Sequence, residues 1–397
     1  MRKNTSYRFS IAILASFLLL IAIGNVYGQS DRVLKVAVFS PLYLDSVFTK
    51  NMNYKSGKKF PRFTLPGFEL SQGASAAATL FPIQGKTVIT RLFDTKSDSI
   101  TIDDIIKQED FSQYHLFIAS VKEQELLSLS ALSKSLQIPL ISVTYPNNAG
   151  ITDNPFLVLL NSTLQTHCEA LFSYVLQNHS ASKIILANQS GSQEDRVAGY
   201  FNQINTQHSK KLIQIKTQKL DSNYFLIKNA LDSNKTNVII CGSLDENFAT
   251  QLSLALNPLK DKYEFLLLGM PNWESFKAFN SKSGSNKINF PVYYTSPYYN
   301  DKSDTVSQQI LDYYLEKFKG VPTEMFFKGF EAMYVFSRLI HQFPDGLSKI
   351  PSNPSLSLFS SFNLIPKQFP LQNQPGYYEN KHLFFIRKQN GQTSKAW

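Results

Sequence analysis

Short, unbroken apolar runs alternate with segments of helical period, and the alternation is written twice along the chain. In the first round LKVAVF (34–39), TVITRLF (87–93), HLFIAS (115–120) and IPLISV (138–143) are the apolar runs. Between them lie ELSQGASAAATLF (69–81), IDDIIKQ (102–108) and a segment with Leu126, Leu129, Leu132 and Leu136 at spacings of three and four. A strand with one wet face alternates apolar and polar residues, whereas a strand covered by helices on both faces is apolar throughout. The pattern βαβαβαβ therefore predicts an α/β fold with a parallel, doubly wound sheet. In the second round, helices near 163–177, 194–207, 222–231 and 246–258 separate KIILA (183–187), KLIQI (211–215), NVIIC (237–241) and EFLLLG (264–269).

The seam falls near 145–160, where Pro146, Gly150 and Pro155 interrupt both patterns. The last third starts no third sheet. VYYTSPYYN (292–300) precedes a helix carrying Val306, Ile310, Tyr313, Tyr314 and Phe318, then a second helix over 325–342. After a proline-rich stretch from about 350, HLFFIRK (382–388) reads as a terminal strand. These two helices are expected to return to the first half. The expected lobes are therefore 29–150 with 297–350, and 151–296 with 351–397.

Residues 1–28 read as a targeting segment. Arg2, Lys3 and Arg8 form a positive flank, Ile11 to Ile23 supply thirteen mostly apolar residues, and Val26-Tyr27-Gly28 precede Gln29 as a cleavage site. That is a cleavable secretory signal, too short to span a bilayer comfortably and followed by no second apolar segment. No cysteine follows the cleavage site, so no lipid anchor is expected, and the mature chain is expected in the periplasm or otherwise exported. Its 369 residues exceed what one core usually organises and suit two lobes. Losing the three signal cations lowers the formal charge from +10 to +7. That excess is dispersed, with KSGKK (55–59) its densest patch, and the absence of a basic helix or an aromatic–basic platform argues against nucleic acid.

Two cysteines, Cys168 and Cys241, make no disulfide framework, although one bridge is chemically permitted in an oxidising compartment. Cys241 ends an apolar run and reads as a buried free thiol. His167, Cys168 and Glu169 are consecutive, so on a helix they point in different directions and do not make a metal site. Signatures of catalysis are missing. SGSQ (190–193) lacks the second glycine of a nucleophile elbow, GKT (85–87) has Leu80 where a phosphate loop needs glycine, and no H-E-x-x-H occurs. Neither an enzyme nor a cofactor is expected.

Polar residues gather instead where strands end. Ser142, Thr144 and Tyr145 leave the fourth strand, Ser40 and Tyr43 the first, and Ser120 the third. Ser190 follows KIILA, and Ser243 and Asp245 follow NVIIC. In open α/β sheets ligands bind outside the carboxyl ends of strands. Hydroxyls and amides there suit a small polar ligand, with aromatic rings over its apolar parts. Each residue also has a purely local role open to it, and Asp245 is a good helix N-cap.

The landmarks KVAVFSPL, GFELSQGASAA, TRLFDTKSDS, QIPLISVTYP, NVIICGSLDE and FKGVPTEMFFKGFEAMYVFSRLI resemble, in order and spacing, the type 1 periplasmic solute-binding proteins. These include the leucine/isoleucine/valine-binding proteins of ABC importers. LLLGMPNWESF and GYYENKHLFF resemble a divergent branch of that family. The resemblance implies two Rossmann-like lobes joined by three crossovers, clamping an amino acid or a related compound. It places Ser142 and Thr144 at the ligand's carboxylate with Ser120 nearby, Ser190 and Asp245 opposite them, and Tyr43 and Tyr298 as walls. Two loops depart from the family. Ala119-Ser120-Val121-Lys122-Glu123 replaces a Gly-Pro and nearby serine, and Gln189-Ser190-Gly191-Ser192 replaces Tyr-Gly-x-Gly. The implied partners are an ABC permease or, in the alternative reading, envelope proteins, the chain then being a ligand-degenerate relative linked to peptidoglycan synthesis or sensing.

Overall fold

Most of the apolar runs are strands because both of their faces are covered. In the computed structural model, which describes residues 33–55, 57, 60–83, 85–206, 210–280, 287–343 and 357–397, the chain divides into two compact units. One holds the described residues up to Ile141 and from Pro322 to 343; the other holds Ser142–Val321 and 357–397. Residues 142–150 and 297–321, expected with the first lobe, lie in the second unit. The targeting segment lies outside the described residues, among which no helix is long and apolar enough to cross a membrane.

In the first unit β1 (Val33–Ser40) pairs in parallel with β2 (Thr87–Asp94) over its full length and with β3 (Leu116–Ala119) on its other side. Val36, Ala37, Val38 and Phe39 have no solvent exposure, and Phe39 lies among Phe93, Phe111 and Phe117 at ring separations of 5.1–5.8 Å. After the single turn α1 (Leu44–Val47), the long α2 (Leu65–Leu80) crosses α9 (Glu324–Gln342). Small residues decide that crossing. A Cβ on Gly73 would stand 2.0 Å from the Phe326 carbonyl oxygen, and one on Gly329 would stand 2.1 Å from that of Leu70. Both ends of the pair are tied: Glu69 accepts from the Thr323 N–H (3.0 Å) and hydroxyl, and Arg338 donates to the Phe81 carbonyl (2.7 Å) while stacking over Tyr334. Two further helices, α3 (Ile102–Gln108) and α4 (Glu123–Leu136), follow β2 and β3 as expected, and α3 opens with a capping box of Thr101 and Asp104.

The second unit shows why its runs are continuous. Ile185, Ala187, Ile239 and Cys241 face one apolar cluster, while Ile184, Leu186, Val238 and Ile240 face another across the same sheet. Successive strand residues thus enter opposite cores. The strands are β6 (Lys183–Asn188), β7 (Ile215–Lys219), β8 (Asn237–Cys241), β9 (Phe265–Leu268) and β10 (Val292–Ser296). They are joined by β13 (Phe384–Gln389) and β14 (Gln392–Lys395) in the order β14-β13-β10-β9-β8-β6-β7. The helices α5 (Leu164–His179), α6 (Ser192–Asn205), α7 (Glu246–Leu256) and α8 (Thr305–Phe318) complete it.

The other sheet runs β11-β12-β5-β4-β3-β1-β2, with β4 (Leu140–Ser142), β5 (Leu157–Leu159), β11 (Leu364–Lys367) and β12 (Tyr377–Asn380). The expected strand KLIQI is displaced: pairing runs over 215–219, not 211–215. β7 is an edge strand whose residues are largely exposed, so its pairing does not need the apolar run. Instead Ile213 is buried and fixed by Asn205, whose side chain accepts from the Leu212 and Ile213 N–H groups.

Candidate functional site

The exit of β4 is built around the polar residues that end it. Ser142 is fully buried; its carbonyl accepts from the Leu160 N–H at 3.0 Å, but its hydroxyl has no hydrogen-bond partner among the described residues. One residue on, the Val143 carbonyl accepts from the Tyr298 hydroxyl at 2.7 Å, and the Thr144 carbonyl accepts from Asn161 Nδ2 at 2.6 Å. Tyr298 is thereby brought to the end of β4, with its ring edge-on to Phe362 at 6.2 Å. Thr144 and Tyr145 are half-buried. Beyond Pro146 the side chains of Asn147 and Asn148 accept from the Ala149 and Gly150 N–H groups, a pair of Asx turns that reverse the chain.

At the ends of β6 and β8 the polar residues bond to one another. The Ser243 hydroxyl donates to Glu194 Oε1 at 2.7 Å and accepts from Gln189 Nε2 at 3.1 Å. Asp245 caps α7, its Oδ1 accepting from the Phe248 N–H at 2.6 Å. The Ser190 N–H and hydroxyl both donate to Asp221, and Ser190 is exposed. Gln189 belongs to the loop that departs from the family's pattern, whereas Glu194 and Asp221 carry no signal in the sequence. Glu194 occupies the third residue of α6, where an acid ordinarily caps its own helix; here it is buried and turns to Ser243. Tyr224 stands beside this group, and its hydroxyl is held above the usual tyrosine range first by burial and then by the charges of Asp245 and Asp221.

In the first unit Asp94 organises the loop after β1. Its carboxylate accepts from the N–H groups of Leu42, Tyr43, Leu44 and Lys96 at 2.7–3.1 Å. Tyr43 is in the left-handed region (φ 55°) and its ring meets Phe63 edge-on at 5.2 Å. The Ser40 hydroxyl donates to the Gly67 carbonyl, and the half-buried Ser120 donates its N–H to the Phe39 carbonyl.

A second buried polar group holds the start of α5. Glu379 accepts from the Thr163 N–H and hydroxyl and from the Thr166 hydroxyl (2.6–2.9 Å), with Lys381 at 3.2 Å. Burial pushes the Glu379 carboxyl up, but Lys381 and the threonine bonds outweigh it and leave it below its ordinary value. His167 shares a 2.7 Å hydrogen bond with Thr295, and burial drives its pKa down to about 3. The consecutive His167, Cys168 and Glu169 go to Thr295, to the apolar cluster around Phe172, and to Gln165 and Lys381 respectively. Among the described residues no three His, Cys, Asp or Glu side chains gather as a metal site. Cys168 and Cys241 are free and buried, and burial raises both thiols to about 12.

No protein-family model and no curated protein matches the chain in sequence. Solved structures match it over nearly its whole length. A branched-chain amino acid ABC transporter periplasmic ligand-binding protein from Burkholderia xenovorans LB400 superposes with a TM-score of 0.59 at 11% identity, covering 91% of this chain and 92% of that one. An ABC transporter substrate-binding protein from Desulfitobacterium hafniense in complex with Leu gives 0.57 at 10% identity, over 92% and 99%. LpoA from Haemophilus influenzae gives 0.57 at 14% identity, over 93% of this chain and 60% of its own. At such identities the likeness is one of fold. With two seven-stranded, mostly parallel sheets flanked by helices, this chain has the type 1 periplasmic-binding-protein fold.

Proposed function

We propose that the chain is an exported solute-binding protein that takes a small polar ligand, an amino acid or a related compound, for an ABC importer. The observation that carries this reading is the hydroxyl of Ser142, fully buried at the carboxyl end of β4 and without a hydrogen-bond partner among the described residues. A buried polar group left unpaired costs about 1–3 kcal/mol, and a ligand carboxylate would recover it. Two of the solved structures that share the fold are named as amino-acid or leucine-bound transport proteins. In this reading Ser142 and Thr144 meet the carboxylate with Ser120, while Tyr43, Tyr145 and Tyr298 cover apolar parts. Ser190, Ser243 and Asp245 reach the ligand by exchanging bonds they now make to Asp221, Glu194 and Phe248. No nucleophile–base pair is assigned a role, and the protein is not proposed to be an enzyme.

Thermal melts against the L-amino acids, short peptides and muropeptides test the reading. A ligand at a hundredfold its Kd adds about 2.7 kcal/mol of stability, a shift of roughly 5–10 °C. Melts that stay flat across the whole set would count against it. The same internal bonding of Ser190, Ser243 and Asp245, together with the likeness to LpoA, favours a second reading, an envelope interaction protein that keeps the fold without the solute. Flat melts combined with stoichiometric recovery of one envelope protein would move the assignment there.

A further inference from the structure

The loop between β1 and α2 carries more exposed apolar surface and more positive charge than its place as a connection requires. From Ser46 to Phe68 the sequence contains Lys50, Lys55, Lys58, Lys59 and Arg62 and no acid; Lys58 and Lys59 lie outside the described residues. Met52 is 75% exposed, Phe63 56%, Phe60 49% and Leu44 46%. Ordinary connections keep such side chains inward or replace them with polar ones, and clustered exposed apolar residues mark interaction surfaces.

The exposure is constructed. Residues 47–55 form a small hairpin in which Phe48 and Tyr54 bridge antiparallel and their rings pack at 5.7 Å. The Met52 N–H donates to the Thr49 carbonyl, the Thr49 N–H to that of Asn53, and the Lys55 N–H to that of Val47. Met52 sits at the tip with φ 59°, a left-handed conformation uncommon for a residue with a side chain. The second knuckle is a turn, Arg62–Thr64, closed by the Thr64 hydroxyl on the Pro61 carbonyl. There Phe60 is braced by Phe68 at 5.3 Å and Phe63 by Tyr43 at 5.2 Å. The rings meet tilted or edge-on, so they offer no flat platform for stacking a sugar. The acids at the loop's base, Asp45 and Asp94, are engaged: Asp45 accepts from Ser97 and Ser99, and Asp94 from four backbone N–H groups. They offset part of the cationic charge and leave an excess.

We infer that this loop docks the protein on an anionic phospholipid surface, with Met52, Phe60 and Phe63 entering the headgroup region and Lys50, Lys55 and Arg62 meeting lipid phosphates. Apolar wedges framed by cations are what interfacial binding uses, each being weak without the other. Charge complementarity selects the lipid surface over an apolar protein groove, which would not call for a loop in which cations outnumber acids.

The test places a reporter on the loop itself, so that binding through the N-terminal apolar segment does not count. Cys168 and Cys241 are buried with raised thiol pKa values, so a Met52→Cys variant of the full chain takes an environment-sensitive fluorophore at that position alone. A Leu371→Cys variant, labelled at a fully exposed residue elsewhere, is the control. With vesicles of phosphatidylglycerol and phosphatidylcholine in equal parts, the label at 52 is expected to shift blue and brighten about threefold. Pure phosphatidylcholine is expected to be about tenfold weaker, and salt near 0.5 M to abolish the effect. An unchanged spectrum at 52, an equal response at 371, a response indifferent to lipid charge, or a shift given by peptidoglycan sacculi and not by vesicles would each overturn the inference.

Discussion

Ser142, Cys168, Cys241 and His167 each make a separable statement at the scale of the residue. If the Ser142 hydroxyl is held for a ligand, Ser142→Ala leaves the ligand-free protein as stable or up to about 1 kcal/mol more stable, because an unpaired buried hydroxyl is removed. Urea titrations check this, and a loss above that size would mean the hydroxyl has a structural partner. Thiol titration is expected to find no reactive cysteine in the native protein and both after denaturation. His167 is buried neutral with its pKa lowered to about 3, so its contribution to stability is full above the ordinary histidine value near 6.5 and is lost as pH falls toward 3. Glu379, whose carboxyl is depressed, loses its contribution in the same direction at lower pH still. Unfolding free energies from urea titrations should therefore fall between pH 7 and 4, by about 3 kcal/mol for His167, and a His167→Gln variant should flatten the slope. Residues were legible unevenly: the strand-end serines stand out by position, and Asp245 could be read as a cap from its place before a helix. Glu194 could not be read, because an acid in a first helical turn looks solvated until the fold turns it toward Ser243.

Among the elements, the α2–α9 pair is the most constrained by its sequence. Gly73 and Gly329 face backbone carbonyls at distances no Cβ tolerates, so Gly73→Ala or Gly329→Ala must push the helices apart. A loss of about 3 kcal/mol is expected for each, a fall of roughly 6–12 °C in Tm, and the double variant should lose less than the sum because one separation relieves both. Calorimetry reads all three. Continuous apolar runs gave correct strands at β1, β6 and β8, where both faces are covered, and at β2, an edge strand exposed at alternate positions that is placed by its full-length pairing with β1. The short β5, β11, β12 and β14 are not predicted by that pattern, and β7 pairs over 215–219 where the pattern predicts 211–215. β14 is fully exposed, and β11 carries Pro366 at a sheet edge, where a missing N–H breaks no ladder. For edge strands pairing comes from what the neighbour offers rather than from local apolarity, so periodicity does not find them.

At the scale of the whole molecule, repetition of one βα pattern was enough to give the fold class, because burial on two faces leaves a strong signature in single strands. The ligand was not legible in the same way, since polar residues at strand ends serve turns and caps as readily as contacts. Asp94, Ser243 and Asp245 each bond internally, and only the folded arrangement separates them from Ser142. Equilibrium dialysis of the protein against radiolabelled amino acids and short peptides tests the central claim most directly. The prediction is one molecule retained per chain for at least one compound, with affinity at least about tenfold weaker in Ser142→Ala. No retention of any compound, or retention undiminished by the substitution, would contradict it.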